Sequence, residues 1–108
     1  MELTYLHDED GEAIAFQADD GTVWSPSLRF IGWFPWSNEP TFVGNQDGRY
    51  VGEIVDGRLC RRRDAPYVSD PGRRSEPLTP QVLWGPAPRV GRTMLAPGYE
   101  DLPRDLVR

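Results

Sequence analysis

The chain has 108 residues, which leaves room for one domain with a thin core. Hydrophobic residues make up 38% and aromatic residues 11%, too many large apolar groups for a disordered chain. The net charge of −5 argues against a duplex-DNA binder, which normally presents a basic face.

Cysteine use and the N-terminal stretch bear on the compartment. The single cysteine, Cys60, excludes an intramolecular disulfide and a cysteine-built zinc site, and it fits a reducing compartment. The first residues lack the basic and apolar regions of a signal peptide, and no run approaches the 18 or so apolar residues of a spanning helix. All 12 basic residues are Arg, which is typical of a GC-rich genome. We therefore expect a bacterial-like, cytoplasmic protein with no membrane association.

Short strand-like runs follow one another through the first two thirds of the chain. Asp-Gly pairs separate many of them, and an Asp-Gly between β-rich runs favours a type I′ turn, because glycine reaches positive φ without a Cβ clash. The pairs are Asp10-Gly11, Asp20-Gly21, Asp47-Gly48 and Asp56-Gly57. The predicted strands cover 4–7, 12–17, 22–25, 29–34, 41–44, 49–55 and 58–60.

These runs repeat. Outgoing strands begin at Thr4, Thr22, Thr41 and Arg58, at spacings of 18, 19 and 17 residues. The return strands carry a branched apolar residue followed by a small one: Ile14-Ala15, Ile31-Gly32, Val51-Gly52 and Val68-Ser69. One hairpin cannot bury its apolar face alone, whereas several around a common centre can, with the small residues where backbones approach closely. The pattern predicts an all-β fold of four repeated β-hairpins packed around a common centre.

The same segments resemble the four-fold β-flower domain family, whose members have four hairpin petals with Arg, an apolar residue, Gly and an aromatic in the return strand. The best matches are Arg29-Phe-Ile-Gly-Trp-Phe and Asp47–Gly57, and residues 12–16 fit with Ala in place of Gly. Residues 58–69 depart most, since they are basic and include Pro66. The resemblance covers about residues 3–70. It implies a fold, and it brings no activity, cofactor or catalytic residue.

The character of the chain changes after Asp70. Residues 71–80 have the Pro-rich composition of an extended linker. Residues 81–95 either form a hairpin, since Arg89-Val-Gly91 echoes the return strands, or belong to a tail across the β domain. Such a hairpin would be a fifth, or would take the place of the fourth if residues 58–70 do not complete it. A helical turn is predicted near Tyr99–Leu102, interrupted by Pro103. The predicted division is therefore a β domain over 1–70 and a Pro/Arg-rich linker with a C-terminal tail over 71–108, packing on it.

No residue pattern amounts to a catalytic or metal site. His7 is the only histidine and is interpreted as a strand residue. The arginines beside Cys60 are expected to lower its thiol pKa, although a buried strand cysteine is the simpler interpretation. The acidic run 8–12 lacks the spacing of a calcium loop. We therefore predict no catalytic residue, no metal and no cofactor.

Two features favour binding. The aromatic residues either pack in the core or, where they are exposed, form a binding surface, since Trp is common in interface hot spots. The segment from Phe34 to Trp36 is the candidate surface, because Pro35 stiffens it. Arg61, Arg62 and Arg63 are the centre of the one basic cluster, which also includes Arg58, Arg73 and Arg74. The cluster is either a solvated face paired to Asp56, Asp64 and Asp70, or a surface for an acidic partner.

Three functions follow from these features. The first is a non-catalytic protein-interaction or structural module that uses Phe34, Trp36, Arg61, Arg62 and Arg63 to bind an unidentified, acidic protein partner. The second is a small-molecule-binding or hydrolytic enzyme with carboxylates such as Asp10 and Asp47 at the hairpin tips. The third, a weak nucleic-acid binder through the arginine cluster, is disfavoured by the charge.

Overall fold

The structure is a computed structural model that describes residues 4–34, 42–45, 49–64, 76–80 and 87–107. It is all-β, as predicted, with strands and a single short 3₁₀ turn, Arg104–Leu106, across these ranges. The strands are β1 (Thr4–His7), β2 (Ala13–Gln17), β3 (Val23–Trp24), β4 (Phe30–Gly32), β5 (Phe42–Gly44), β6 (Tyr50–Val55), β7 (Arg58–Arg62) and β8 (Tyr99–Asp101).

The strands form one mixed, eight-stranded sheet in the order β4-β3-β2-β1-β7-β6-β5, with β8 paired to β7 off this path. Neighbours run antiparallel except β1 and β7, which meet in parallel where His7 faces Arg58. An antiparallel bridge between Trp33 and Gly44 joins the end of β4 to β5 through backbone hydrogen bonds of 2.8 and 2.9 Å. The two ends of the strand path therefore meet.

The Asp-Gly turns are of two kinds. Asp56 and Gly57 both have positive φ, 51° and 76°, which is the predicted type I′ geometry. At Asp10-Gly11 and Asp20-Gly21 only the glycine has positive φ, 87° in each case, so the prediction of a type I′ turn there is wrong. In these turns the glycine is the fourth residue and its N–H donates to the carbonyl three residues earlier, on Asp8 and Ala18.

A recurring five-residue turn explains this difference. In four turns of the described chain, the N–H of the first residue donates to the carbonyl of the fifth at 2.9–3.0 Å, beginning at Asp8, Ala18, Ser25 and Asn45. A side-chain oxygen of Asp8, Ser25 and Asn45 also accepts the N–H of the fifth residue at 2.9–3.1 Å. These short polar side chains thus fix a wider turn than the Asp-Gly pair alone would make.

Two apolar clusters make up the core. The larger contains Leu6, Ala15, Val23, Ile31, Val43, Leu59 and Leu102. The smaller contains Phe16, Ala18 and Trp24, with the Trp24 and Phe30 rings edge to face at a centroid distance of 5.4 Å. Because β4 contributes Ile31 to the first and Phe30 to the second, both of its faces are apolar.

The segment after Pro97 differs from its prediction. Tyr99–Asp101 is strand β8 and not a helical turn, because its backbone pairs with β7 from Cys60 to Arg62. The helical turn follows Pro103 instead, at Arg104–Leu106. Residues 87–95 contain no strand. The rest of the predicted fifth hairpin, 81–86, and the end of the fourth, 65–70, lie outside the described residues.

Residues 88–93 lie against the first turn of the chain. His7 Nε2 donates to the Pro88 carbonyl (2.9 Å), and the Val90 N–H donates to the Gly11 carbonyl (2.9 Å). Arg92 forms ion pairs with Glu9 (3.5 Å) and Asp10 (3.6 Å). A Cβ at Gly11 would overlap the Val90 carbonyl, so this glycine serves both the positive φ and the close approach.

Candidate functional site

The basic end of β7 is the part of the described structure where polar side chains are most concentrated. Strand alternation sends Cys60 and Arg62 to one face, and Leu59 and Arg61 to the other. Glu53 on β6 and Asp101 on β8 face Cys60 from either side, and Tyr99 faces Arg62. The predicted Arg61–Arg63 cluster is therefore divided between two faces of the sheet.

Glu53 and Arg62 form the centre of this face. Arg62 Nε and Nη2 donate to the two Glu53 carboxylate oxygens, each at 2.9 Å. The Glu53 side chain is 10% exposed and that of Arg62 is 44% exposed. The paired carboxylate, followed by Tyr99, raises the pKa of the Arg62 guanidinium above its usual range.

Tyr50 adds a third side chain to the Glu53–Arg62 pair. Its hydroxyl donates to Glu53 Oε2 (3.3 Å) and accepts the backbone N–H of Arg62 (3.0 Å). Burial raises the pKa of Tyr50 to about 12, with a further contribution from Glu53, so the phenol stays protonated and able to donate. The face is thus a satisfied hydrogen-bond network that ties β6 to β7.

Cys60 is the buried strand cysteine of the simpler interpretation, and not the reactive thiolate that its arginine neighbours favour. It is 1% exposed, and its Sγ lies 3.7 Å from the Glu53 carbonyl oxygen. Burial, then the Glu53 and Asp101 carboxylates, raise the thiol pKa to about 11. The expected lowering of the pKa is wrong, because desolvation dominates and Glu53 already engages the guanidinium of Arg62.

Arg61 and Arg63 differ in whether a carboxylate side chain pairs with them. Arg61 Nη2 is 3.1 Å from Glu100 Oε2 across the β7–β8 pair, and both side chains are partly exposed, at 38% and 37%. Arg63 donates its backbone N–H to the Gly98 carbonyl (2.8 Å), and its exposed guanidinium has no carboxylate partner among the described residues. The paired acids are glutamates, so the predicted pairing with aspartates is wrong for Arg61 and Arg62. Asp70, Arg73 and Arg74 lie outside the described residues.

The second predicted binding feature is only partly described. Phe34 is half-buried, packs against the larger apolar cluster, and covers Gly21 with its ring. Trp36 lies outside the described residues. Trp33, the residue before Phe34, donates Nε1–H to the Asn45 carbonyl (2.9 Å), which ties the end of β4 to the turn after β5.

His7 of β1 and Asp10 of the first turn both contact residues 88–92. Asp10 is ion-paired with Arg92, and His7, which is 7% exposed, is bonded to Pro88. Asp47, the other tip carboxylate, lies outside the described residues. Within the described ranges, no three His, Cys, Asp or Glu side chains are grouped so that they could hold a metal ion. No helix in those ranges has the length and apolarity to cross a membrane.

Sequence reasoning missed Glu53 and Tyr50. The available signal was a lone acid inside an otherwise apolar strand, Tyr50-Val-Gly-Glu-Ile-Val55. A carboxylate in such a strand is rarely buried without a cation, and the next strand carries three arginines, Arg58, Arg61 and Arg62. That pattern predicts a pair across β6 and β7, and the structure contains one.

Comparison of the chain with protein-family models, with curated proteins and with solved structures gave no match.

Proposed function

We propose that this chain is a non-catalytic protein-interaction module that binds an acidic protein surface through the end of β7, together with Phe34 and Trp36. The observation that carries the proposal is the contrast between neighbouring arginines. Glu53 and Glu100 hold Arg62 and Arg61 in fixed positions, while Arg63 is exposed and has no carboxylate partner in the described chain.

The geometry favours a carboxylate-bearing partner. A guanidinium binds a carboxylate with two parallel hydrogen bonds, and the Glu53–Arg62 pair has this geometry within the chain itself. Arg61 is partly exposed beside its glutamate, so it can contribute to a shared network with Arg63. A nucleic-acid backbone would meet few unpaired cations here on a chain of net charge −5.

We also propose that the sheet is a four-fold β-flower, with hairpins arranged around a common centre and a C-terminal tail from residue 71. The antiparallel pairs β1–β2, β3–β4 and β5–β6 support three such hairpins. The small residues Ala15, Gly32 and Gly52 are all buried, as a crowded centre requires. We place the protein in the cytoplasm on the strength of its single reduced cysteine.

The binding test compares single arginines. Tagged wild-type protein should retain a specific partner from a lysate of its source organism, and Arg63→Glu should reduce that retention at least tenfold. Arg104→Glu is the matched control, because Arg104 is also exposed and lies outside β7, in the 3₁₀ turn Arg104–Leu106. Circular dichroism should show that both variants fold.

Two results would reject the proposal. One is a partner retained equally by wild type and Arg63→Glu. The other is retention of the wild type on heparin or DNA at low salt that Arg63→Glu abolishes, which would assign the arginines to nucleic acid instead. The variants replace one exposed side chain each, which avoids the loss of stability that replacement of Arg62 is expected to cause.

A further inference from the structure

The C-terminal segment, residues 88–107, is held on the sheet by contacts that the same segment of another molecule could make equally well. We propose that the edge of β7 on which β8 lies, with the pocket for Leu102, is an acceptor site for the C-terminal segment of a second copy of this chain. Two chains can then exchange these segments. The site lies along β7 and beneath Leu102, so the inference does not depend on the partner proposed for Arg63.

The backbone of β7 supplies the first part of the acceptor. Cys60, Arg61 and Arg62 pair with Asp101, Glu100 and Tyr99 in an antiparallel register. Such pairing accepts any extended segment, which is the basis of strand addition to a sheet edge. Selection comes from the side chains: Arg61 meets Glu100 at 3.1 Å, and the Glu9 N–H donates to Asp101 Oδ1 at 3.0 Å.

A pocket in the core supplies the second part. Leu102 is 5% exposed and belongs to the larger apolar cluster, with Leu106 and Val107 packed against it. Gly52 makes room for it, since a Cβ there would lie 3.3 Å from Leu102 Cδ2 and would overlap the Cys60 carbonyl. Arg29 Nη1 then holds the end of the segment through the Asp105 carbonyl (2.9 Å). The acceptor thus selects an acidic residue followed two positions later by leucine.

The chain connection allows the occupant to come from either molecule. In sequence, 25 residues (63–87) separate the end of β7 from the segment, and the free energy of closing a connection depends only weakly on its length. Exchange replaces each contact within one chain by the same contact between two chains. The equilibrium between monomer and exchanged dimer therefore depends on the protein concentration relative to the effective concentration of the tethered segment, usually about 1 mM. We expect monomers in dilute solution and exchanged dimers after concentrated chains refold together.

The first experiment cuts the complete chain. Leu78 is 96% exposed, so a specific protease site placed there is accessible. After cutting, residues 79–108 should co-elute with the rest of the chain in gel filtration. An excess of the same fragment labelled with ¹⁵N should replace the bound one, as followed by mass spectrometry. Separation of the two pieces, or bound fragment that is never replaced, would overturn the proposal.

The second experiment uses intact chains and opposite charges. Arg61→Glu and Glu100→Arg each place like charges across β7 and β8 within one molecule. Reciprocal exchange between the two variants restores an opposite pair at both interfaces. When both variants refold together at high concentration, the dimer fraction should exceed that of either alone several-fold. The chain carrying both substitutions is the control and should match wild type. Equal dimer fractions in the mixture and the separate samples would refute exchange.

Discussion

At the scale of single residues, the Glu53 carboxylate determines how much Arg62 and Arg63 each contribute to the stability of the fold. It is 10% exposed and depends on two hydrogen bonds from Arg62 and one from Tyr50. A buried charge that loses its partner is costly, whereas an exposed arginine without a partner contributes little. Adjacent residues of the same type, Arg62 and Arg63, should therefore differ strongly in their effect on stability.

We expect Arg62→Ser to lower the free energy of unfolding by about 2 kcal/mol, below the usual cost of breaking a fully buried pair because Arg62 is partly exposed. Arg63→Ser should change it by less than about 0.5 kcal/mol. Urea unfolding of the two variants and wild type measures both. Equal losses would mean that Glu53 does not depend on Arg62.

Cys60 should be unreactive in the folded protein. Its pKa of about 11 against an ordinary 9 lowers the thiolate fraction at pH 8 by about 100-fold, and burial blocks access as well. Alkylation by iodoacetamide should therefore be at least 100-fold slower in native protein than in urea. Similar rates in both would contradict the buried, protonated thiol.

The same raised pKa gives a pH dependence of stability. The folded state holds the Cys60 proton more tightly than the unfolded state, so this contribution is complete below pH 9 and is lost as pH rises to about 11. In Cys60→Ala that part of the decline should be absent, measured as the free energy of unfolding at pH 8 and pH 11. An unchanged decline would assign it to other groups, Tyr50 first.

The residues around Cys60 also show which determinants of the thiol pKa can be predicted from the sequence and which cannot. Three flanking arginines predict a thiolate, yet the pKa depends on which face each side chain takes and on what covers it. Alternation could be read from the sequence, and it separates Arg61 from Arg62. Burial could be expected of a strand cysteine, but the position of Asp101, 41 residues later in the chain, could not be predicted.

At the scale of elements, local chemistry determines some turns and tertiary contacts determine others. Asp56-Gly57 is the predicted type I′ turn, since both residues take positive φ. The turns at Asp10-Gly11 and Asp20-Gly21 are wider, and for the former the deciding residue is Asp8, two positions before the Asp-Gly pair. Strand β8 was not predictable, because three residues become a strand only when β7 is beside them.

The small residues in the return strands support a prediction on packing. We expect Gly52→Ala to destabilise the protein by about 2 kcal/mol or more, because its Cβ would overlap the Cys60 carbonyl and press on Leu102. Gly91→Ala is the matched control, since its Cβ would meet nothing within 4 Å, and it should be within about 0.5 kcal/mol of wild type. Thermal unfolding of both variants provides the comparison. A tolerated Gly52→Ala would remove the reason for glycine at this position.

At the scale of the whole molecule, the sheet order leaves β4 and β5 at the two ends of one path, and the bridge from Trp33 to Gly44 joins them. Sheets manage exposed edges by covering or closing them, because unpaired strand edges bind other chains. The short Trp33–Gly44 bridge is therefore the element on which closure depends. Gly32 allows it, since a Cβ there would lie 2.5 Å from Val43 Cγ1 and 2.7 Å from the Gly44 carbonyl.

Closure of the strand path by the Trp33–Gly44 bridge should slow amide hydrogen exchange at the bridge. The Trp33 and Gly44 amides donate to each other's carbonyls, so they should exchange about as slowly as the Ala15 amide in the β1–β2 pair. Met94 is a residue that is 83% exposed, and its amide provides the reference for fast exchange. In Gly32→Ala the protection of Trp33 and Gly44 should fall by at least tenfold while that of Ala15 falls less, because the added Cβ acts at the bridge. Rapid exchange of Trp33 and Gly44 in the wild-type protein would show an open path with two free edges, and the proposal of hairpins around a common centre would fail with it.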